Sequence, residues 1–512
     1  MNLQELHGIL PLLVLTAGIT LLLLQVSFWR GHRRALASSL LILTATIYAC
    51  YSAARQLQQL DTQSISVTSL MLVDHTALFI SVLMLLAAVA VAVLGFNHLR
   101  QRCSHTTGSG DLAEEFYILL LLVLLGACTL TFASHFAVLF LALELMGLAL
   151  YPLLGFAVTG VKSSERERTY SLESGLKYLL LSALSTALGL FGIALIYAAS
   201  GTLDFTGVAS AVARTDGGVL LPSGLILLLV GIAFKLSLVP FHIWTPDVYQ
   251  GAPTPVTALI ATVGKGAVIA ILLRLLAQLD LLAFPVISNM LVVLAIASML
   301  IGNLLALMQA DIKRLLAYSS IAHIGYLIVA LMFGATAFGV EAVAYYLVAY
   351  VVTTLGAFAV VSLVADAAWS NAPDSGTEPG DAVTDPFQRS YYRGLFWRSP
   401  WLACCLAAML LSLAGIPLTI GFIGKFYIFA AGVQAGLWLL LGAVVLGSAL
   451  GLFYYLKLML TMMQKDDRES PLLLLTANNL QIRLSGQILL ICLSACLLVF
   501  GIFPQTLIDW IN

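Results

Sequence analysis

The sequence predicts an all-α polytopic membrane protein of about fourteen transmembrane helices. Three observations carry this expectation. Of the 512 residues, 61% are hydrophobic and only 10% charged, whereas a water-soluble domain uses about 25% charged residues to cover its surface. The apolar residues gather into continuous runs, and a helix needs about 20 such residues to cross a hydrocarbon core. The basic residues, finally, fall in alternate loops. A net charge of −1 with no basic face excludes a nucleic-acid binder, and the apolar share excludes a cytoplasmic enzyme or a disordered chain. A closed β-barrel would show short alternating runs, and these are long and unbroken.

In chain order, runs at 8–29, 35–54 and 69–97 make an N-terminal three-helix segment, 1–114. The leader MNLQELHGILPLLVL has no basic n-region, so its run reads as a retained span. Runs at 115–132, 135–158, 174–198, 219–241 and 255–279 make a first five-helix unit, 115–279. Runs at 283–308, 312–333, 341–366, 400–430 and 436–463 make a second, 283–463. A last run, 486–510, gives a C-terminal helix within 464–512. Segment 369–398 is rich in Pro, Gly and Asp and reads as a polar surface linker. The seven cysteines (Cys50, Cys103, Cys128, Cys404, Cys405, Cys492, Cys496) form no CxxC pair. They read as buried membrane thiols, not as a disulfide framework, a zinc site or an iron–sulfur motif. No GxGxxG follows a strand.

Sixteen basic residues fall in odd-numbered loops: Arg30, Arg33, Arg34, Arg100, Arg102, Lys162, Arg166, Arg168, Lys313, Arg314, Arg389, Arg393, Arg398, Lys465, Arg468 and Arg483. Only three, Arg55, Arg214 and Arg274, fall in even-numbered loops or span ends. The positive-inside rule then makes the odd loops cytoplasmic and turns both termini outward.

Five lysines remain, all inside predicted spans: Lys177, Lys235, Lys265, Lys425 and Lys457. Lys457 and Lys177 lie near span ends, where a lysine snorkels to the headgroups at little cost. Lys235, Lys265 and Lys425 lie deeper, and each costs roughly 2.5–3.5 kcal/mol on insertion scales. Glu144 joins them near the middle of the fifth run. Burial disfavours the charged form of both residue types and pairing restores it. A pair whose members move apart or together is therefore a switch for protons. The helix breaks fall beside the same lysines. Lys235 precedes Pro240 by five residues, Lys425 follows Pro417 by eight, and Lys265 stands between Gly264 and Gly266. In membranes such breaks are tolerated where freed backbone lines a cavity or water path. His323 lies mid-span and suits a proton relay, and His242 follows Pro240, where hydration or a gate fit equally well. His135, at the start of a span, reads as interfacial. No histidines stand at haem or metal-ligand spacing.

A weak internal repeat sets spans four to eight against nine to thirteen. STALGLFGIALI (185–196) matches VTTLGAFAVVSL (352–363), ELMGLALYPLLGF (144–156) matches AHIGYLIVALMFG (322–334), and LVGIAFK (229–235) matches LAGIPLT (413–419). An odd number of spans per unit makes the two units inverted.

PFHIWTPDVYQGAPTPVTA (240–258), NLLALMQADIKRLLAYSSIAHIGY (303–326) and LSLAGIPLTIGFIGKFYIF (411–429) resemble the antiporter-like membrane subunits of respiratory complex I over essentially the whole chain. VYQGAPTP with a lysine in span twelve is similar to one branch of that family. The long lateral C-terminal helix of a sister branch is not expected here. The resemblance implies a proton-translocating subunit in a bacterial inner membrane. Glu144 and Lys235 would form a pair, Lys265 the central lysine, and Lys425 the residue on the outlet side. Lys177, His242 and His323 would support them. It implies no cofactor in this chain, with NADH, flavin, iron–sulfur clusters and quinone on partner membrane and peripheral subunits, sister antiporter-like subunits among them. The competing expectations are a subunit of a multisubunit cation/proton antiporter and a structural spacer.

Overall fold

The computed structural model describes residues 3–103, 113–156, 165–214, 218–333, 337–370, 385–465 and 483–511. Lys162 and Arg468 of the loop tally, and 371–384 of the polar linker, lie outside the described residues. Among the described residues, twelve helices are long and apolar enough to cross a membrane. Three shorter apolar helices, Leu220–Leu236, Pro400–Ala414 and Ile420–Gln434, fall where the breaks are expected.

The chain opens with α1 (Leu3–Gly8), α2 (Leu10–Phe28) and α3 (His32–Gln59), then a hairpin of β1 (Ser64–Val67) and β2 (Met71–Asp74) and the long α4 (His75–Cys103). The hairpin, paired Ile65 to Val73, lies on the face that lacks the basic loops. There the residue before β2 meets the turn before α6, Ser134 N–H donating to the Leu70 carbonyl at 3.0 Å. Next come α5 (Glu115–Phe132), α6 (Phe136–Leu154), α7 (Glu165–Ser200), the short α8 (Phe205–Ala213) and α9 (Leu220–Leu236). After α9 the chain breaks, restarts as α10 (Trp244–Gly251) and α11 (Thr254–Leu259), and passes through a π-turn (Ile260–Gly264) into α12 (Lys265–Leu279).

The second unit runs α13 (Pro285–Leu307), α14 (Ile312–Leu331), α15 (Ala337–Ser370), α16 (Leu395–Arg398), α17 (Pro400–Ala414), α18 (Ile420–Gln434) and α19 (Trp438–Met463). The helices α20 (Leu484–Ile502) and α21 (Gln505–Ile511) end the chain. Segments 254–279, 312–331 and 338–368 are buried almost throughout, whereas α2, α7 and α20 keep most of their surface exposed. The core of the bundle is therefore built by the helices that carry Lys265, His323 and the tyrosines of α15. Among the described side chains Cys50, Cys128 and Cys405 are buried and Cys496 half-buried, whereas Cys404 and Cys492 face outward, so the expectation of buried thiols holds for part of the set.

Both breaks end a helix on a residue in the left-handed region, Ser237 at φ +63° and Gly415 at φ +85°. Pro240 and Pro417 lie inside the breaks they announce. The match of LVGIAFK to LAGIPLT sets Gly231 opposite Gly415, yet Gly231 lies inside α9. Ser237 is the residue that caps the first break as Gly415 caps the second. The expected break at Gly264 and Gly266 takes another form: the helix widens into a π-turn that ends on Gly264, and Gly266 sits in regular α12.

Candidate functional site

Lys235 is the penultimate residue of α9, 6% exposed. Its ammonium donates to the Ser182 hydroxyl of α7 at 2.6 Å, and the Tyr151 hydroxyl of α6 donates to the same oxygen at 3.1 Å. The Tyr178 ring stands 5.6 Å from the Lys235 nitrogen. Glu144, Gly147 and Tyr151 share one face of α6 at helical spacing. A Cβ on Gly147 would reach within 3.2 Å of the Tyr151 hydroxyl and 3.6 Å of the Lys235 nitrogen, so a glycine is what makes room for both. Glu144 is half-buried and lies within electrostatic reach of Lys235. No ion pair joins them, and its Oε1 is enclosed with no hydrogen-bond partner. The Glu144–Lys235 pair is open in this structure.

Lys265 follows directly on the π-turn, a deviation that frees backbone groups and recurs at functional sites. Its ammonium donates to Ser320 Oγ of α14 at 2.6 Å. That hydroxyl lies 2.6 Å from the Tyr350 hydroxyl of α15, which donates to the Ala261 carbonyl inside the π-turn at 2.8 Å. The chain of donors therefore runs from Lys265 through Ser320 and Tyr350 back to the turn that presents the lysine.

His323 continues the row on α14. Its Nδ1 lies 2.8 Å from the Tyr346 hydroxyl and its Nε2 3.3 Å from the Tyr455 hydroxyl of α19. Tyr455 also hydrogen-bonds Ser319. The Tyr454 hydroxyl donates to Asn303 Oδ1 at 3.0 Å, and Asn303 Nδ2 donates to the Tyr326 hydroxyl at 3.2 Å. The Tyr326 ring then stands 5.2 Å from the Lys425 nitrogen. Lys425 itself turns back to the end of α17 and donates to the carbonyls of Leu413 and Ala414 at 3.0 and 2.9 Å.

Lys177 has a different setting. It is bracketed by Glu173 at 2.6 Å and Asp247 of α10 at 2.7 Å, and Asp247 is shared with Arg314 of α14 at 2.7 Å. Gln250 accepts from Arg314 at 3.0 Å and donates to Asp311 at 3.2 Å, and Lys313 donates to the Gln250 carbonyl at 2.9 Å. Burial raises the affinity of Asp247 for its proton, but the hydrogen bonds from Lys177 and Arg314 outweigh it and hold the carboxyl below the usual range. Lys177 thus belongs to a half-exposed ion network on the face that collects the basic loops. His242, inside the first break, faces Tyr318 with ring centroids 6.4 Å apart. His135 caps α6, its Nδ1 accepting from Ala137 N–H at 3.1 Å. Lys457 points outward from α19.

Several members of this arrangement escape sequence reasoning. Ser182, Ser320 and the tyrosines at 326, 346, 350, 454 and 455 supply the hydroxyls, yet in an apolar run they read only as packing. Asp247 and Gln250 stand in TPDVYQGAPTP, where a charged residue beside the break was a visible signal. Two further contacts join distant segments: His98 Nδ1 lies 2.7 Å from Asp366 Oδ1, and Arg274 pairs with Asp74 of β2 at 2.5 Å. Arg274 was counted as a span-end charge and is in fact 8% exposed inside α12.

The three deep lysines share a property that separates them from Lys177, Arg314 and Arg274. Lys177, Arg314 and Arg274 are neutralised by carboxylates. Lys235, Lys265 and Lys425 donate only to hydroxyls or carbonyls among the described residues. A cation without a counter-ion is costly to keep in an apolar setting.

The family described as NADH:quinone oxidoreductase/Mrp antiporter, TM, matches residues 133–451. A protein of Chromohalobacter salexigens called NADH-quinone oxidoreductase subunit N is 42% identical over 98% of this chain and 97% of its own length. The solved structure of respiratory complex I from Thermus thermophilus with bound aureothin contains a chain 31% identical, with a TM-score of 0.77 and 98% of both chains covered. The Mrp complex from Dietzia sp. contains a chain with a TM-score of 0.81 at 19% identity, covering 100% of this chain and 96% of its own, which shows the shared fold. The chain belongs to the NADH:quinone oxidoreductase/Mrp antiporter transmembrane family, in its NADH-quinone oxidoreductase subunit N branch.

Proposed function

We propose that this chain moves protons across a bacterial inner membrane as the antiporter-like subunit of an NADH:quinone oxidoreductase, through Glu144, Lys235, Lys265, His323 and Lys425. The observation that carries the reading is the set of three buried lysines that donate to neutral hydroxyls or carbonyls, none of them ion-paired to a carboxylate. Such groups hold one proton each and release it when the local field changes, which is transfer chemistry and not bond-making. NADH oxidation and quinone reduction belong to partner subunits, and no redox centre is assigned to this chain.

The open Glu144–Lys235 pair gives the switch. When the Glu144 carboxylate closes on Lys235, the pair favours a charged lysine; when it withdraws, the Lys235 proton passes by water toward Lys265. From Lys265 it moves along Ser320, Tyr350 and His323 to Lys425. The network around Lys177 and Asp247 lies on the basic-rich face and receives protons there, with His242 in the adjoining break. The short helices at the two breaks complete two further crossings, giving fourteen spans with both termini on the outer face and the two five-helix units inverted.

Membrane vesicles carrying Glu144→Ala, assayed together for NADH-driven quinone reduction and proton uptake, test the reading. The expected result is proton uptake reduced relative to quinone reduction in an assembled complex. Wild-type values for both would sink it. A cation/proton antiporter subunit has the Mrp fold likeness in its favour, and the subunit N identity weighs against it.

A further inference from the structure

We propose that the crevice between α4, α5 and α12 on the basic-poor face is a water-filled release vestibule for protons leaving Lys265, closed at its inner end by Met84. The proposal rests on the reading of Lys265 as a proton carrier, and it assigns this unit a release path of its own besides the route through Lys425.

The crevice holds a cavity of about 130 Å³ with Asp74, Thr131, Arg274 and Gln278 on its walls. A water needs about 10–15 Å³ of such space and two to four polar partners, so there is room and bonding capacity for several. The Arg274 guanidinium is almost wholly buried there and bonds Asp74 Oδ2, the Leu72 carbonyl at 2.8 Å and the Ala133 carbonyl at 3.4 Å. Gln278 Oε1 is enclosed and has no hydrogen-bond partner. A staple between β2 and α12 would need the ion pair, but neither an open polar cavity beside it nor an acceptor left vacant within it.

The crevice also points toward Lys265. On α12 the lining residues Ala270, Arg274 and Ala277 fall on the helical face that begins at Gly266, one residue beyond the lysine. Eight residues separate Gly266 from Arg274, about 12 Å of helix. On α4 the lining residues Ala77 and Ile80 lead to Ser81 and Met84. The Ser81 and Thr131 hydroxyls lie 2.9 Å apart and are buried, Thr131 on the cavity wall and Ser81 behind it. Beyond them, Met84 packs on Gly266, where a Cβ would meet its Cγ at 3.7 Å and its Sδ at 3.9 Å. An unbranched thioether changes rotamer easily, so Met84 is a plug that opens without moving backbone. The Lys265 ammonium, swung away from Ser320, then gives one proton to water on the vestibule side and stays as the neutral amine until a proton arrives from Lys235. The fixed charge of Arg274 is cancelled by Asp74 and does not repel that proton.

The test uses the assembled complex in right-side-out membrane vesicles, with the native cysteines of this chain replaced. Ala270→Cys and, as control, Leu272→Cys on the opposite face of α12 are exposed to Ag⁺ and to a membrane-impermeant thiol reagent, and modification is read by mass. Modification of Ala270→Cys from the outer face, with Leu272→Cys spared, is the expected result. An unmodified Ala270→Cys, or equal modification of both positions, overturns the vestibule. Met84→Ala is expected to raise the passive proton conductance of vesicles without NADH several-fold, and an unchanged conductance overturns the plug. Lys265→Ala separates this from the underlying reading. Normal pumping by that variant removes the carrier role of Lys265, whereas lost pumping with an unmodified Ala270→Cys removes the vestibule alone.

Discussion

At the first break, α9 ends on Ser237 and the backbone closes the end itself. Ser237 N–H donates to the Phe234 carbonyl and Leu238 N–H to the Ala233 carbonyl, both at 2.9 Å, and the Trp244 indole adds a bond to Phe234 at 3.1 Å. Lys235 is left with a hydroxyl on another helix as its acceptor. At the second break the backbone closes α17 in the same way, Gly415 N–H donating to the Ser412 carbonyl and Ile416 N–H to the Leu411 carbonyl, both at 3.0 Å, and Lys425 from the helix that follows takes the next two carbonyls, those of Leu413 and Ala414. A helix end leaves four carbonyls without intrahelical partners, and buried ones must be met by something. The difference separates two duties: Lys235 holds a proton and nothing else, whereas Lys425 holds a proton and the fold of its own break.

Alanine at either position is the strongest way to break this comparison. Lys235→Ala and Lys425→Ala are both expected to lower NADH-driven proton uptake by an order of magnitude or more. They should part in stability. Lys425→Ala leaves two buried carbonyls unmet, each costing about 1–3 kcal/mol, and its complex should unfold at a lower temperature than that of Lys235→Ala. Equal unfolding temperatures in a thermal-shift measurement would refute the capping role.

Glycine and serine at the two caps give a smaller and opposed pair of effects. Gly415 at φ +85° is strained for any other residue, and a Cβ there would approach Lys425 Cδ to 2.9 Å. Gly415→Ala should cost about 1–2 kcal/mol and displace the lysine from its carbonyls. Ser237→Gly relieves a left-handed serine and should stabilise by up to about 1 kcal/mol. If both changes shift stability in the same direction, the two breaks are not equivalent caps.

Much of this was legible in the chain itself. The runs gave the spans, and Pro240 and Pro417 marked the breaks because proline removes a donor that only a break or cavity forgives. The deep lysines and Glu144 stood out because charge is rare in these helices. What escaped was pairing over distance. Lys177 read as a snorkelling residue until Asp247, 70 positions on, was found against it, and Arg274 read as a span-end charge until Asp74, 200 positions back, closed on it. The hydroxyl relay escaped for a related reason. Serine and tyrosine are common in membrane helices, and only the packing of α14 against α15 and α19 turns Ser320, Tyr350 and Tyr455 toward Lys265 and His323. The match of LVGIAFK to LAGIPLT rests on a shared glycine and isoleucine and leaves the left-handed caps unmarked, Ser237 at one break and Gly415 at the other.

Acid gives the smallest expected effect and sharpens the comparison from the other side of the first break. The helix that follows it, α10, is fastened by Asp247 to Lys177 and Arg314, whereas α18, which follows the second, is fastened to α17 by Lys425 and by Gly421 N–H donating to Ser412 Oγ at 3.1 Å. Asp247 is held below the ordinary carboxylate value of about 3.9, so its contribution to stability is complete above that pH. It is lost as the pH falls through the lowered folded value. The carboxylate is about one third exposed, and pairs this open contribute only about 0–1 kcal/mol and weaken with salt. Asp247→Asn should therefore lower the unfolding temperature slightly at neutral pH and low salt, with the gap to wild type closing in acid and in high salt. The same titration applied to Lys425→Ala should leave its deficit in place, because carbonyl capping does not depend on a carboxylate. A deficit for Asp247→Asn that persists unchanged in acid would mean that α10 is held by packing, and the contrast between an ion-fastened and a lysine-capped break would fall.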